Sequence, residues 1–157
     1  IQGDSIIAFT GGCNISFENM VDIIDLTQKT KIYSDSMLHF VIEHFGIDLE
    51  KAILRQYIFT CIIKEEIEKI INRKIRIDRS NIFDGKAKLS ISIATLTPVS
   101  GKIHFRLNII HDNTPVLTKG LKDYGINPKK IAKTVMKEYS MTIDNIMLDK
   151  CKVRGVK

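Results

Sequence analysis

The chain has no tryptophan and no Cys-x-x-Cys pair, and it has no apolar stretch of the about 18 residues that a membrane-spanning helix requires. Its cysteines, Cys13, Cys61 and Cys151, are widely spaced, which leaves a zinc or redox motif unsupported. An odd cysteine count without a secretory signal points to reduced thiols and a cytoplasmic location. Cys61 lies in an apolar helical run and is expected in the core. No Walker motif, dinucleotide fingerprint or Gly-x-Ser-x-Gly elbow occurs, so the common phosphate-cradling and serine-hydrolase signatures are missing. Repeats, low-complexity segments and internal linkers are also lacking. The chain opens on Ile1 instead of Met and runs at once into Ile6-Ile7-Ala8-Phe9, so a missing N-terminal segment is expected.

What is present fits one globular domain. The 157 residues are 44% hydrophobic and 27% charged, enough to bury a core without disulfides or metals. Net charge is +6, from 24 basic and 18 acidic residues. The excess gathers at the C-terminus, in Lys150, Lys152, Arg154 and Lys157, and elsewhere bases are mixed with acids. Nucleic-acid binding needs a clustered basic face, so it ranks last among the functions considered.

Residues 4–10 read as a buried strand ending at a Gly11-Gly12 turn. Ser16 then caps a short helix with Phe17, Met20, Val21 and Ile24 on one stripe. The aromatic and β-branched density of 37–45 predicts a strand. Asp48 is placed to cap a long helix from Leu49 to Ile71, whose wide stripe (Ala52, Ile53, Tyr57, Ile58, Ile62, Ile63, Ile67, Ile70, Ile71) predicts good coverage. Strands follow near 74–78, 87–96 and 102–110. A last helix begins at Asn127-Pro128, with Asn as cap and Pro in the first turn, and Ile131, Val135, Tyr139, Ile146 and Met147 form its inner stripe. This order predicts an α+β domain with a mixed, largely antiparallel sheet packed on helices.

Two strands alternate cleanly. Ala87, Leu89, Ile91 and Ile93 oppose Lys88, Ser90 and Ser92, while Ile103, Phe105, Leu107 and Ile109 oppose Lys102, His104, Arg106 and Asn108. Thr97-Pro98-Val99-Ser100-Gly101 supplies turn chemistry between them. If both apolar faces meet, the other side gathers Lys88, Ser90, Ser92, His104, Arg106 and Asn108. An antiparallel sheet commonly shows such a face to water. Here Ser90, Ser92 and Ala94 are small and leave room beside Lys88, as a carboxylate or phosphate ligand would need. Ser34-Asp35-Ser36 with His39 and His44 could suggest a hydrolytic triad, but triads are recognised by geometry and the spacing here is local. His39 and His44 would fall on opposite faces of a strand, which weakens them as joint metal ligands.

Gly3-Asp4-Ser5-Ile6, Met20-Val21-Asp22, Ser34-Asp35-Ser36-Met37-Leu38-His39-Phe40, Glu43-His44-Phe45 and Leu54-Arg55-Gln56 carry a likeness across the whole chain. By these segments it resembles an uncharacterised archaeal family known only as a domain of unknown function. A more distant resemblance is to the biotin and lipoate protein ligase superfamily, which includes octanoyl transferases. Asp84-Gly85-Lys86-Ala87-Lys88-Leu89-Ser90 resembles their glycine–lysine strand. Gly101 to Ile109 resembles the strand that follows, and Lys119-Gly120-Leu121-Lys122-Asp123-Tyr124-Gly125-Ile126 the loop after it. Ile32-Tyr33-Ser34-Asp35 resembles the segment after the ligases' glycine-rich loop.

The resemblance implies a class II aminoacyl-tRNA synthetase/biotin-lipoate ligase-like fold. It implies an acyl or acyl-adenylate site in which Lys88 is the catalytic cation. Asp35, His39, Ser90, Ser92, His104 and Asn108 are then the candidate ligand-binding residues for a small carboxylate or nucleotide. The alternative is a non-catalytic module for a small anion. No metal and no particular cofactor is implied. Two departures stand out: Thr10-Gly11-Gly12 is at most a displaced remnant of the glycine-rich loop, and the late loop, where octanoyl transferases hold a nucleophilic cysteine, reads Asp123-Tyr124-Gly125.

Overall fold

The computed structural model describes residues 1–16, 23, 27, 32–112, 114 and 116–156. The helix expected after Ser16, with Phe17, Met20, Val21 and Ile24, lies outside the described residues. The elements are β1 (Ser5–Ile15), β2 (Ile32–Phe45), α1 (Leu49–Ile71), β3 (Arg76–Asp78), β4 (Asn81–Asp84), β5 (Ala87–Lys88), β6 (Ser90–Leu96), β7 (Ser100–Asn108), a 3-10 turn (Leu121–Tyr124) and α2 (Pro128–Cys151). A four-stranded antiparallel sheet runs in the order β1-β2-β7-β6, beside a small antiparallel β3-β4-β5 sheet.

α1 and α2 start where their caps predict. The Asp48 side chain accepts from the Lys51 amide at 2.7 Å, and the Asn127 side chain accepts from the Lys130 amide at 3.0 Å with Pro128 in the first turn. Each cap satisfies an amide that the first helical turn leaves without a partner.

One face of the four-stranded sheet carries the core. Leu38, Phe40 and Ile42 of β2 and Ile103, Phe105 and Leu107 of β7 pack against Phe59, Ile63 and Ile67 of α1 and Ile131, Val135 and Tyr139 of α2. Phe59 is the hub. It meets Phe40, Phe105 and Tyr139 edge-on, with ring centroids 5.1, 5.4 and 5.1 Å away, the geometry that aromatic quadrupoles favour.

Several expectations need correction. Gly11 and Gly12 make no turn; β1 runs through them to Ile15. The pairing register shifts there because two β2 residues, Asp35 and Ser36, face Gly12, a bulge. A Cβ on Gly12 would sit 3.3 Å from the Asp35 carbonyl, so the bulge explains the glycine. β1 is also largely open rather than buried, with Ile7 and Phe9 exposed. Cys61 is exposed because it lies off the inner stripe of α1, as do Ile53, Tyr57 and Ile70. On α2, Met147 is exposed for the same reason.

The largest correction concerns 87–96. This is not one strand with one phase. Leu89 and the next residue, Ser90, are both buried, so the alternation breaks between β5 and β6. Ser90 pairs with Leu107, Ser92 with Phe105 and Ala94 with Ile103, which sets the serines on the helix-covered face. Ile91 and Ile93 pair with Arg106 and His104 on the other face.

Candidate functional site

Ser90 and Ser92, expected to floor an open ligand site, are spent on structure. Ser90 Oγ accepts from the Ile82 amide at 2.8 Å. Ser92 Oγ accepts from Gln56 Nε2 at 2.8 Å and donates to the Ser80 carbonyl at 2.9 Å. Their small size lets α1 and the β3–β4 hairpin close on β6, and their hydroxyls satisfy polar groups that the closure buries.

The opposite face of the four-stranded sheet, away from α1 and α2, holds His39, His104 and Arg106. Phe9 of β1 stacks on His39 of β2, centroids 4.8 Å apart and planes within 3°. His39 pairs across the sheet with Arg106 of β7. The side chains then form a directed chain. Arg106 Nη2 lies 2.9 Å from His104 Nδ1, His104 Nε2 lies 3.1 Å from His39 Nδ1, and His39 Nε2 lies 3.2 Å from the Gly11 carbonyl. A guanidinium can only donate, so His104 Nδ1 must accept. The proton of His104 is therefore on Nε2 and points to His39 Nδ1. That of His39 is on Nε2 and points to Gly11. Both imidazoles are neutral in this arrangement. Their electrostatics agree: burial, with the nearby Arg106 charge, lowers the His104 pKa to about 4, and burial likewise lowers that of His39.

Arg106 itself is 8% exposed, and its Nε has no hydrogen-bond partner. Its ionisation is disfavoured by burial, and the sole electrostatic neighbour raising its pKa is Cys13, a buried thiol. Among the described residues no acid pairs with it. Glu43 on the same face accepts from Ser100 and lies 3.7 Å from Lys102; Lys102 is four residues along β7 from Arg106, about 13 Å at strand rise. Cys13 was not among the sequence-based candidates, and Arg106, grouped with the polar face by alternation, was not expected to be buried, because a charged residue at an alternating strand position reads as solvent-facing.

Lys88 lies between buried Ala87 and Leu89, so alternation turns its half-buried side chain away from the core. Its backbone is held on both sides. The amide donates to the Leu117 carbonyl at 2.9 Å, and the carbonyl accepts from the Lys119 amide and from Asn108 Nδ2, both at 3.2 Å. Asn108 also donates to the Lys119 carbonyl at 3.3 Å. Gly120 lets this loop close in, since a Cβ there would lie 2.4 Å from the Ile109 carbonyl.

Asp35 is exposed in the β2 bulge and accepts from the Tyr33 hydroxyl at 2.6 Å. The histidines do separate to opposite faces. His44 donates through Nδ1 to Asp4 at 2.7 Å and accepts from the Tyr139 hydroxyl at 2.7 Å, a clasp joining β1, β2 and α2. Neither histidine engages a serine hydroxyl in these contacts. Asp84 is saturated by Arg73, by Lys119 at 2.7 Å and by the Tyr124 hydroxyl at 2.7 Å, which hold its carboxyl well below the usual range. Among the described residues no cluster of three metal-ligating side chains occurs, and no helix is long and apolar enough to cross a membrane.

The model of a family described as a domain of unknown function, DUF366, matches residues 1–154. The chain belongs to this family. An uncharacterized protein of Methanocaldococcus jannaschii is 37% identical over 156 residues, 95% of this chain and 70% of that protein. A solved protein of unknown function from Pyrococcus horikoshi superposes with a TM-score of 0.92 at 34% identity, covering all of this chain and 85% of its own. Both bear out the expected archaeal family. Ligase structures are more distant. Lipoate-protein ligase A bound with ATP gives a TM-score of 0.61 at 13% identity, over 90% of this chain and 74% of that one. Biotin protein ligase from Aquifex aeolicus, in complex with biotin and ATP, gives 0.58 at 13% identity, over 72% and 52%. At this identity the likeness is one of fold, and it bears out the α+β domain expected from the residues and the ligase-like architecture that the resemblance implied.

Proposed function

We propose that this protein binds a small acyl ligand, as its carboxylate or acyl-adenylate, with Lys88 as the cation that meets the negative charge. The observation that carries this reading is the setting of Lys88. Its main chain is fixed by Leu117, Lys119 and Asn108, which sets where the side chain starts. A cation brought to a defined place stabilises a ligand's negative charge. Asn108 acts here as a positioning residue, its amide tying β5 to the loop at Lys119. The ligase fold is consistent with ligands of this class but does not by itself fix function.

One observation favours holding the ligand without chemistry. Both nitrogens of His39 and of His104 are engaged, which leaves neither imidazole free to take a proton from a substrate. The test is calorimetric titration with octanoate, lipoate and biotin, each with and without ATP. At least one acyl compound should bind, and Lys88→Ala should weaken it at least tenfold, about 1.4 kcal/mol, with an unchanged unfolding midpoint. Equal affinity in the two proteins would overturn the assignment.

A further inference from the structure

We infer that Arg106 is the binding point for a small oxyanion, a carboxylate or a phosphate, taken by the unpaired Nε–H of its buried guanidinium on the sheet face away from α1 and α2. This names a second anionic contact and does not depend on the role given to Lys88.

The case rests on geometry. A guanidinium at 8% exposure with no acid against it, among the described residues, is a costly thing to keep. Such a charge adds nothing to stability that an apolar side chain of similar shape would not supply better. It is not left loose, however. Nη2 is tied to His104, His104 to His39, and His39 to the main chain of β1, so a hydrogen-bond chain crossing three strands fixes the plane of the guanidinium. Every link of that chain donates away from Arg106, and both imidazoles are uncharged within it. The chain therefore orients the cation without neutralising it. Among the donors that remain, Nε–H is buried and has no hydrogen-bond partner among the described residues. A planar donor held this way suits the oxygen of a carboxylate or phosphate.

The neighbours fit the same ligand. Ile91 pairs with Arg106 and Ile93 with His104 from β6, and Phe9 covers His39, so the anion's surroundings are apolar or neutral. Among the described residues no carboxylate pairs with Arg106, so none competes there with an anion for the guanidinium.

Thermal unfolding of the whole chain tests this, in chloride, inorganic phosphate or octanoate at matched ionic strength. The wild-type midpoint should rise with at least one oxyanion relative to chloride. A rise confined to phosphate assigns a phosphoryl group; one confined to octanoate assigns an acyl carboxylate. Arg106→Met should unfold at a higher temperature than wild type in chloride, and its response to the effective anion should fall at least tenfold in apparent affinity. Lys88→Ala should keep any phosphate response, which separates this inference from the reading of Lys88. Should Arg106→Met fail to fold, the 15N-detected Nε–H signal of Arg106 in the wild type replaces it, and should move on titration. The inference is overturned by no oxyanion effect beyond chloride, by an equal effect in Arg106→Met, or by an unmoved Nε–H signal.

Discussion

Phe105 and Arg106 are neighbours on β7, both buried, and they face opposite sides of one sheet. On the Phe105 side most residues are satisfied by one another, the exception being Arg55 of α1, whose buried Nη1 lies 3.6 Å from Asp4 without a hydrogen bond. Aromatic rings meet edge-on around Phe59, and the few polar groups, Gln56, Ser90 and Ser92, all find protein partners. On the Arg106 side burial comes without full satisfaction. A charge is kept, aimed by a relay of neutral imidazoles, and left with an unpaired donor. The same strands thus serve folding on one face and hold a polar group in reserve on the other. A buried group that no folding argument explains is where a ligand is best sought.

The contrast can be broken by mutation. Phe59→Ala on the helix-covered face should cost about 3–5 kcal/mol, because the hub of three ring contacts becomes a cavity; chemical denaturation measures it. A loss below 1 kcal/mol would mean that the helices do not depend on this face. Ser90→Ala should cost roughly 1–3 kcal/mol, since it strands the buried Ile82 amide. A neutral result would return Ser90 to the list of ligand residues.

On the other face the expected sign reverses. Arg106→Met should leave anion-free stability unchanged or raise it, by up to about 4 kcal/mol. Asp84→Ala is a useful counterpart, because its carboxylate is paired with Arg73, Lys119 and Tyr124. It should cost roughly 2–3 kcal/mol, the scale of hydrogen bonds to a charged group. If both substitutions destabilise alike, the distinction between paired and unpaired charge fails.

The smallest effect is one of pH. His104 has its folded pKa lowered from 6.5 to about 4, so the unfolded chain binds the proton more readily. Stability from this group is complete above pH 6.5 and is lost as pH falls toward 4. The titratable groups facing it are His39 from β2 and Arg106 on its own strand, while β6 presents Ile93. His104→Gln should flatten the profile of unfolding free energy between pH 4 and 6.5 without abolishing its slope, since His39 and His44 are also lowered. An unaltered slope would show that the imidazole relay is not neutral as drawn.

Much of the fold was legible in the residues. Asp48 and Asn127-Pro128 mark both helix starts, and the density of Phe, Val and Ile marks β2. What was not legible has local causes. β4 spans only Asn81–Asp84, too short for periodicity to register. The phase of β6 flips because Leu89 and Ser90 are both buried, and a serine that makes room for a helix reads just like one facing water. Gly11-Gly12 has the composition of a turn but serves a bulge. At the candidate site, the placing of His104 and Arg106 on one face of β7 away from the core followed from alternation. The burial of Arg106 and the His104–His39 link did not, because they depend on how β1 and β2 lie beside β7.

The most direct test is a chemical-shift map of the labelled protein titrated with octanoate, repeated with inorganic phosphate. The expected result is perturbation at Lys88, His104, Arg106 and His39, with Gln56, Phe59 and Ser92 unmoved. Perturbation centred on α1 and Ser92, or none with either anion, would contradict the account.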